Sequence, residues 1–113
     1  MSEDCLFCKI ASGRIPAGFV AETETEVAFR DINPQAPTHI LAVPKEHVAS
    51  LATAADPAML GRLLAFAASV AKSEGLEEGG YRVVANTGKN GGQTVDHLHL
   101  HILGGRHMTW PPG

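Results

Sequence analysis

Cysteine is scarce in this chain: two residues only, set together as Cys5-Leu6-Phe7-Cys8. One tight pair cannot build a disulfide framework, which argues against a stapled secreted scaffold and for a reducing compartment. Basic residues are few as well, nine against twelve acidic ones, and no basic run occurs. A net charge of −3 lacks the electrostatic footprint of a nucleic-acid reader or a membrane-surface binder. No apolar stretch reaches the roughly 18 residues that a membrane span needs. The start, Met1-Ser2-Glu3-Asp4, is polar and acidic, the wrong character for a secretory signal. Internal repeats and low-complexity segments are absent too. The expectation is therefore a cytoplasmic globular protein, a single domain over residues 1–113, with no nucleic-acid or membrane partner. Its 44% hydrophobic and 19% charged residues are ordinary for such a domain, and its length suffices for a core without staples.

Patterning predicts an α+β fold. Cys5 to Ser12 reads as a short helix closed by Gly13. Phe19–Thr23, Val27–Asp31 and Thr38–Val43 read as strands, the last two separated by the proline-fixed loop Asn33-Pro34-Gln35-Ala36-Pro37. His47 to Leu51 suggests a helical turn. Asp56-Pro57 is a strong helix start, and Leu60, Leu63, Leu64, Ala67, Val70 and Ala71 repeat at helical spacing up to the Gly75 cap. Tyr81–Asn86 and Val95–Leu103 complete five strands, with the glycine loop 87–93 between them. Short connections favour antiparallel pairing, with the helices covering one face of the sheet.

The last strand carries His97-Leu98-His99-Leu100-His101. Alternation along a strand turns the three imidazoles one way and Leu98, Leu100 and Ile102 the other. Same-face residues sit roughly 6.6 Å apart along a strand, too far for all three rings to share one ion comfortably. The row is a metal site, a catalytic row, or a division between the two. Cys5-x-x-Cys8 reads as half a zinc site or as a redox dithiol, and it also suits two small apolar residues in a helix. A redox motif wants a strand before it, which the four residues ahead of Cys5 do not suggest. A tetrahedral zinc site needs two more donors, for which His47 and His97 are the candidates.

With His97 assigned to zinc, His99 becomes the central imidazole. A neutral imidazole with one nitrogen held by an acceptor is a nucleophile suited to anionic phosphorus, and His101 can then donate to a phosphate oxygen. Gly91 and Gly92 allow close backbone approach, while Gln93, Thr94 and Asn86 offer side-chain donors. The same loop also reads as an ordinary hairpin connection. Asp31, at a strand end, can accept from ribose hydroxyls or simply cap a turn.

These residues resemble the histidine triad (HIT) family, whose His-x-His-x-His pattern has hydrophobic x positions. Asp31-Ile32-Asn33-Pro34-Gln35-Ala36-Pro37-Thr38-His39 and Val43-Pro44-Lys45-Glu46-His47 are similar to its segment ahead of the triad. Gly91-Gly92-Gln93-Thr94-Val95 and the ending Gly104 to Gly113 resemble its Hint branch, the purine nucleoside phosphoramidases. The resemblance implies a homodimer of five-stranded domains. It implies hydrolysis of a nucleoside 5′-phosphoramidate through a nucleotidyl-His99 intermediate. His39 would complete the histidine constellation, and His101, Asn86, Gly92 and Thr94 would hold the phosphate. Asp31 would hold the ribose, Phe7, Ile10, Phe29 and Ile32 would line a purine pocket, and Trp110 would approach the partner's site. Structural zinc falls on Cys5, Cys8, His47 and His97, an expectation carried by these four donors rather than by branch membership, since many members lack the cysteines. Thr94 stands where serine is common, and Asp96 where an aromatic or apolar residue is usual. Two other readings stand beside the phosphoramidase: a dinucleoside polyphosphate hydrolase or nucleotidyl transferase of the same family, and a non-catalytic nucleotide-binding interaction protein.

Overall fold

The computed structural model describes residues 4–113; Met1, Ser2 and Glu3 of the expected 1–113 domain lie outside the described residues. The elements are α1 (Leu6–Ala11), β1 (Phe19–Glu22), β2 (Glu26–Arg30), β3 (Thr38–Pro44), α2 (Pro57–Ser73), β4 (Tyr81–Val84) and β5 (Leu100–Gly104). The strands form one antiparallel sheet in the order β1-β2-β3-β5-β4, confirming the α+β, five-stranded expectation. Among the described residues no helix is long and apolar enough to cross a membrane.

Helix α2 starts where the sequence places it. Asp56 Oδ1 accepts from the Ala58 N–H at 3.0 Å, and Pro57 occupies the first turn, where a missing N–H costs nothing. At the other end Gly75 has φ +76° and the Leu76 N–H reaches back to the Ala71 carbonyl, closing the helix. Asp56→Ala is expected to lower stability by about 1 kcal/mol, read as a lower urea midpoint at unchanged slope.

The apolar stripe differs in detail from the expectation. Met59, Leu63, Phe66, Ala67, Val70 and Ala71 are buried, whereas Leu64 is 55% exposed and Leu60 only partly covered. The stripe is rotated towards Met59 and Phe66, and Leu60 and Leu64 form a shoulder with Leu51, Val83, Ala85 and Leu100 beside edge strand β4.

The helices do not share a face, which corrects the one-sided arrangement. Helix α2 packs on Ala28, Ile40, Ala42, Leu98, Leu100 and Ile102. Phe7, Cys8 and Ile10 of α1 pack instead with Val27, Phe29, Leu41 and Val43, side chains of opposite parity in β2 and β3. Each sheet face thus has its own apolar cluster, and the second one carries the histidines.

Strand β5 is shorter than the predicted Val95–Leu103. Pairing with β3 begins at Ala42↔Leu100, leaving His97, Leu98 and His99 ahead of the ladder. Pro44 explains the early stop: it has no N–H to offer, and its carbonyl is occupied by the His97 ring. Side-chain alternation nevertheless persists through the irregular part, since Leu98 enters the α2 core while His97 and His99 contact Phe7 on the other face. The helical turn expected over His47–Leu51 is also displaced. Residues 47–50 are irregular and the turn lies at 51–53, fixed by Ser50 and Thr53 through their side chains and backbone.

Candidate active site and metal centre

A cleft of about 370 Å³ opens on the α1 face. Its walls include Phe7, Ile10, Phe29, Asp31, Ile32, Thr94, His99 and His101, all of them expected site residues. Leu6, Ile15, Pro16, Ala17, Leu41 and Val95 also line it and were not anticipated. Leu41 was accessible to reasoning, because it shares strand parity with His39 in β3; the irregular 15–17 segment carried no signal.

The hydrogen bonds fix the tautomers of the ring histidines. His99 Nδ1 lies 2.7 Å from the His97 carbonyl, which can only accept, so Nδ1 carries the proton and Nε2 keeps its lone pair. His39 Nδ1 accepts from the Gln35 backbone N–H at 3.0 Å, so the neutral ring bears its proton on Nε2. That Nε2 stands 2.9 Å from His101 Nδ1, which must therefore accept. His101 is left with Nε2–H as its donor. The adjacent rings thus present opposite characters, a nucleophilic nitrogen on His99 and an acidic N–H on His101.

Burial favours the neutral form of His39 and His101. Desolvation lowers His101 to about 4, helped by repulsion from His99 and His39 and opposed by Asp31. His39 is also lowered, by burial first, with Asp31 pulling the other way. The 3.4 Å approach of His39 Nε2 to Asp31 Oδ2 would be an ion pair only if His39 were protonated. Since desolvation prevails, it is a neutral ring beside a carboxylate. Asp31 Oδ1 meanwhile accepts from the Asn33 N–H at 2.8 Å, holding the carboxylate at the cleft edge.

Asn86, Gly92, Gln93 and Trp110 do not line this cleft. Asn86 Nδ2 donates to the Gly91 carbonyl, and the Gly92 N–H to that of Lys89. Gln93 Nε2 donates to both Ala49 and Val95 carbonyls while its oxygen takes the Gly88 N–H. With both amide hydrogens committed, Gln93 clasps the loop and offers a phosphate no donor in this arrangement. The glycines serve loop closure too: Gly92 has φ +79°, and a Cβ on Gly91 would collide with the Thr87 backbone. Trp110 is 81% exposed and lies beside the Arg82 guanidinium, 5.9 Å from the ring centroid.

Cys5, Cys8, His47 and His97 converge behind the cleft, their ligand atoms all within 4.8 Å of one another. Cys5 Sγ is 3.3 Å from His97 Nδ1, and Cys8 Sγ lies 3.3 Å from His47 Nδ1 and 3.5 Å from His97 Nδ1. Tetrahedral zinc with ordinary Zn–S and Zn–N bonds sets sulfur and nitrogen about 3.6 Å apart, so the donor set fits. His97 Nε2–H donates to the Pro44 carbonyl at 2.8 Å, which leaves Nδ1 as the ligand atom. Burial also lowers the His97 pKa, favouring the neutral ring. Neither cysteine forms a disulfide. Asp31, His39 and His101 make a second cluster of possible ligands, but its chemistry differs. There the remote nitrogen of His39 faces a backbone N–H, so its Nε2 keeps the proton and is a poor metal ligand.

Comparison with known proteins agrees with this geometry. The HIT domain family matches residues 12–108. A 14 kDa zinc-binding protein of Zea mays is 54% identical over 112 residues, covering 96% of this chain and 87% of that protein. The crystal structure of a HIT family hydrolase from Legionella pneumophila superposes with a TM-score of 0.95 at 54% identity, covering 97% of this chain and all of the other. A histidine triad nucleotide-binding protein from Candida albicans gives 0.83 at 35% identity, covering 96% and 83%. The chain belongs to the HIT family.

Proposed function

We propose that this protein is a hydrolase of purine nucleoside 5′-phosphoramidates, acting through a nucleotidyl-His99 intermediate. The observation that carries the reading is the pair of opposed tautomers. His99 presents an unprotonated Nε2 and His101 presents Nε2–H, and both rings line one cleft. His99 Nε2 attacks the α-phosphorus, the P–N bond breaks, and the amine leaves with a proton taken from solvent. Water then adds its hydroxyl to phosphorus, the N–P bond breaks, and a proton returns to solvent. The His101 N–H holds a phosphoryl oxygen during both steps. Its partner His39 keeps that proton on Nε2. Phe7, Ile10, Phe29 and Ile32 receive the purine, and Asp31 the ribose; Thr94 adds a hydroxyl donor near the phosphate. Asn86, Gly92 and Gln93 support the phosphate site by shaping its loop.

Zinc held by Cys5, Cys8, His47 and His97 would have four protein donors and no open position, so it would supply a cross-link rather than a Lewis acid. The apolar shoulder beside β4, an edge strand among the described residues, supports the homodimer, in which Trp110 reaches the partner's cleft. The name of the Candida relative supports the nucleotide as ligand, and that of the maize protein supports zinc.

The intermediate provides the test. Protein mixed with adenosine 5′-phosphoramidate and quenched in alkaline denaturant should gain one adenylyl group, mapped by mass spectrometry to the peptide containing His99. Turnover with the adenylyl group on His101 instead, or with no adduct at any time, would sink the reading.

A further inference from the structure

We propose that the Cys5/Cys8/His47/His97 centre positions the His99 nucleophile and the Phe7 wall of the cleft, so that metal occupancy sets the affinity for nucleotide. The inference rests on the reading of His99 as nucleophile and of the cleft as a nucleotide site. Two connections carry it. The first runs through the His97 main chain. Its ring points into the metal centre, while its carbonyl accepts the Nδ1–H of His99 at 2.7 Å, the bond that keeps Nε2 unprotonated. Residues 97–99 precede the β5 ladder, and the main-chain bond recorded for them is Leu98 N–H to the Val48 carbonyl. The His97 ring, tied by Nδ1 to the metal donors and by Nε2 to Pro44, anchors this stretch together with the Leu98 side chain in the α2 core and the Leu98–Val48 bond. A displacement of the 97–98 peptide, which would also have to release the Leu98 N–H from the Val48 carbonyl, would carry the His97 carbonyl away and let His99 exchange tautomers.

The second connection is Phe7. It sits between the two cysteines, and its ring meets His99 edge-on at 5.0 Å and Phe29 at 5.5 Å. Helix α1 has only six residues, too short to hold its shape by itself. Its N-cap is the Cys5 sulfur, which accepts from the Cys8 N–H at 3.4 Å, so the cap atom is also a metal donor. Loosening the sulfurs loosens the helix that presents Phe7 to the cleft.

A second cleft of about 420 Å³ lies against Cys5 and His47 and is bordered by Asp4 and Asp96, both exposed. Thr94 and Val95 line both this cleft and the nucleotide cleft.

The test strips zinc from the purified protein with a high-affinity chelator and follows three signals. Far-UV circular dichroism should keep its sheet signature, because the α2 core contains none of the four donors. The Kd for AMP, measured by titration calorimetry, should rise about tenfold or more. ¹⁵N-imidazole NMR should show His99 changing from a single Nδ1–H tautomer to a mixture. Readdition of zinc should restore both. A stripped protein that stays folded and keeps either its AMP affinity or its His99 tautomer overturns the proposal. A stripped chain that unfolds altogether also overturns it, since the metal is then a general staple of the fold. If the zinc-loaded protein does not bind AMP, the nucleotide reading fails, and the His99 tautomer still decides the coupling.

Discussion

His99→Ala should abolish AMP release from adenosine 5′-phosphoramidate, lowering kcat by about 10⁴-fold or more, as removal of a nucleophile does. AMP binding should change far less, because the apolar wall of Phe7, Ile10 and Phe29 remains. His101 cannot substitute. Its Nδ1 is engaged with His39, and its Nε2 carries the proton, so it has no lone pair directed at phosphorus. His97 cannot substitute either, since its Nδ1 faces the thiols and its Nε2 the Pro44 carbonyl. The three histidines are thus separated by their partners: the Pro44 carbonyl and the thiols occupy both His97 nitrogens, the His97 carbonyl takes only Nδ1 of His99, and the His39 imidazole faces Nδ1 of His101. The comparison of His99→Ala with His97→Ala is decisive. Near wild-type turnover in the first with loss in the second would reverse the assignment of roles.

Much of this arrangement is legible in the sequence, and its limits have identifiable causes. Helix α2 is framed by Asp56-Pro57 and Gly75, signals that act locally and need no tertiary context. The metal centre follows from donor chemistry: two cysteines at helical spacing, and histidines that the β3–β5 pairing brings to the same end of the sheet. The placement of α1 was not legible. Its six residues present apolar groups at too few positions to reveal which face of the sheet they meet. The start of β5 was hidden for a different reason. His97 to Ile102 alternates strictly between histidine and apolar residues, but pairing needs a neighbour, and Pro44 withholds one. Gln93 illustrates a third limit. A polar residue beside a glycine loop reads equally as ligand donor or loop clasp, and only its three hydrogen bonds distinguish them. The tautomers belong to the same class, because they are set by Gln35, Pro44 and the His97 carbonyl, groups whose proximity arises only on folding.

The largest effect on stability should be a loss in mild acid that His101 contributes. Its ordinary value of 6.5 falls to about 4 in the folded protein. Between these values the unfolded chain binds a proton that the folded ring refuses, so stability rises with pH across the window. The contribution is neutral above pH 6.5, grows as a penalty while pH falls, and is complete near pH 4. The gap corresponds to roughly 3 kcal/mol, and solvent in the cleft screens it to about 2 kcal/mol. Other groups titrate over the same range, so the wild-type curve alone is not diagnostic. His101→Asn removes this titration and leaves the metal centre in place. The difference in urea unfolding free energy between variant and wild type, measured from pH 7 to pH 4, should therefore move by about 2 kcal/mol in the variant's favour. A difference that stays constant over that range would mean that the folded ring protonates as readily as the unfolded one. His101 would then be available to meet the phosphate as a cation in mild acid, and not only through the single N–H that the His39 contact assigns to it.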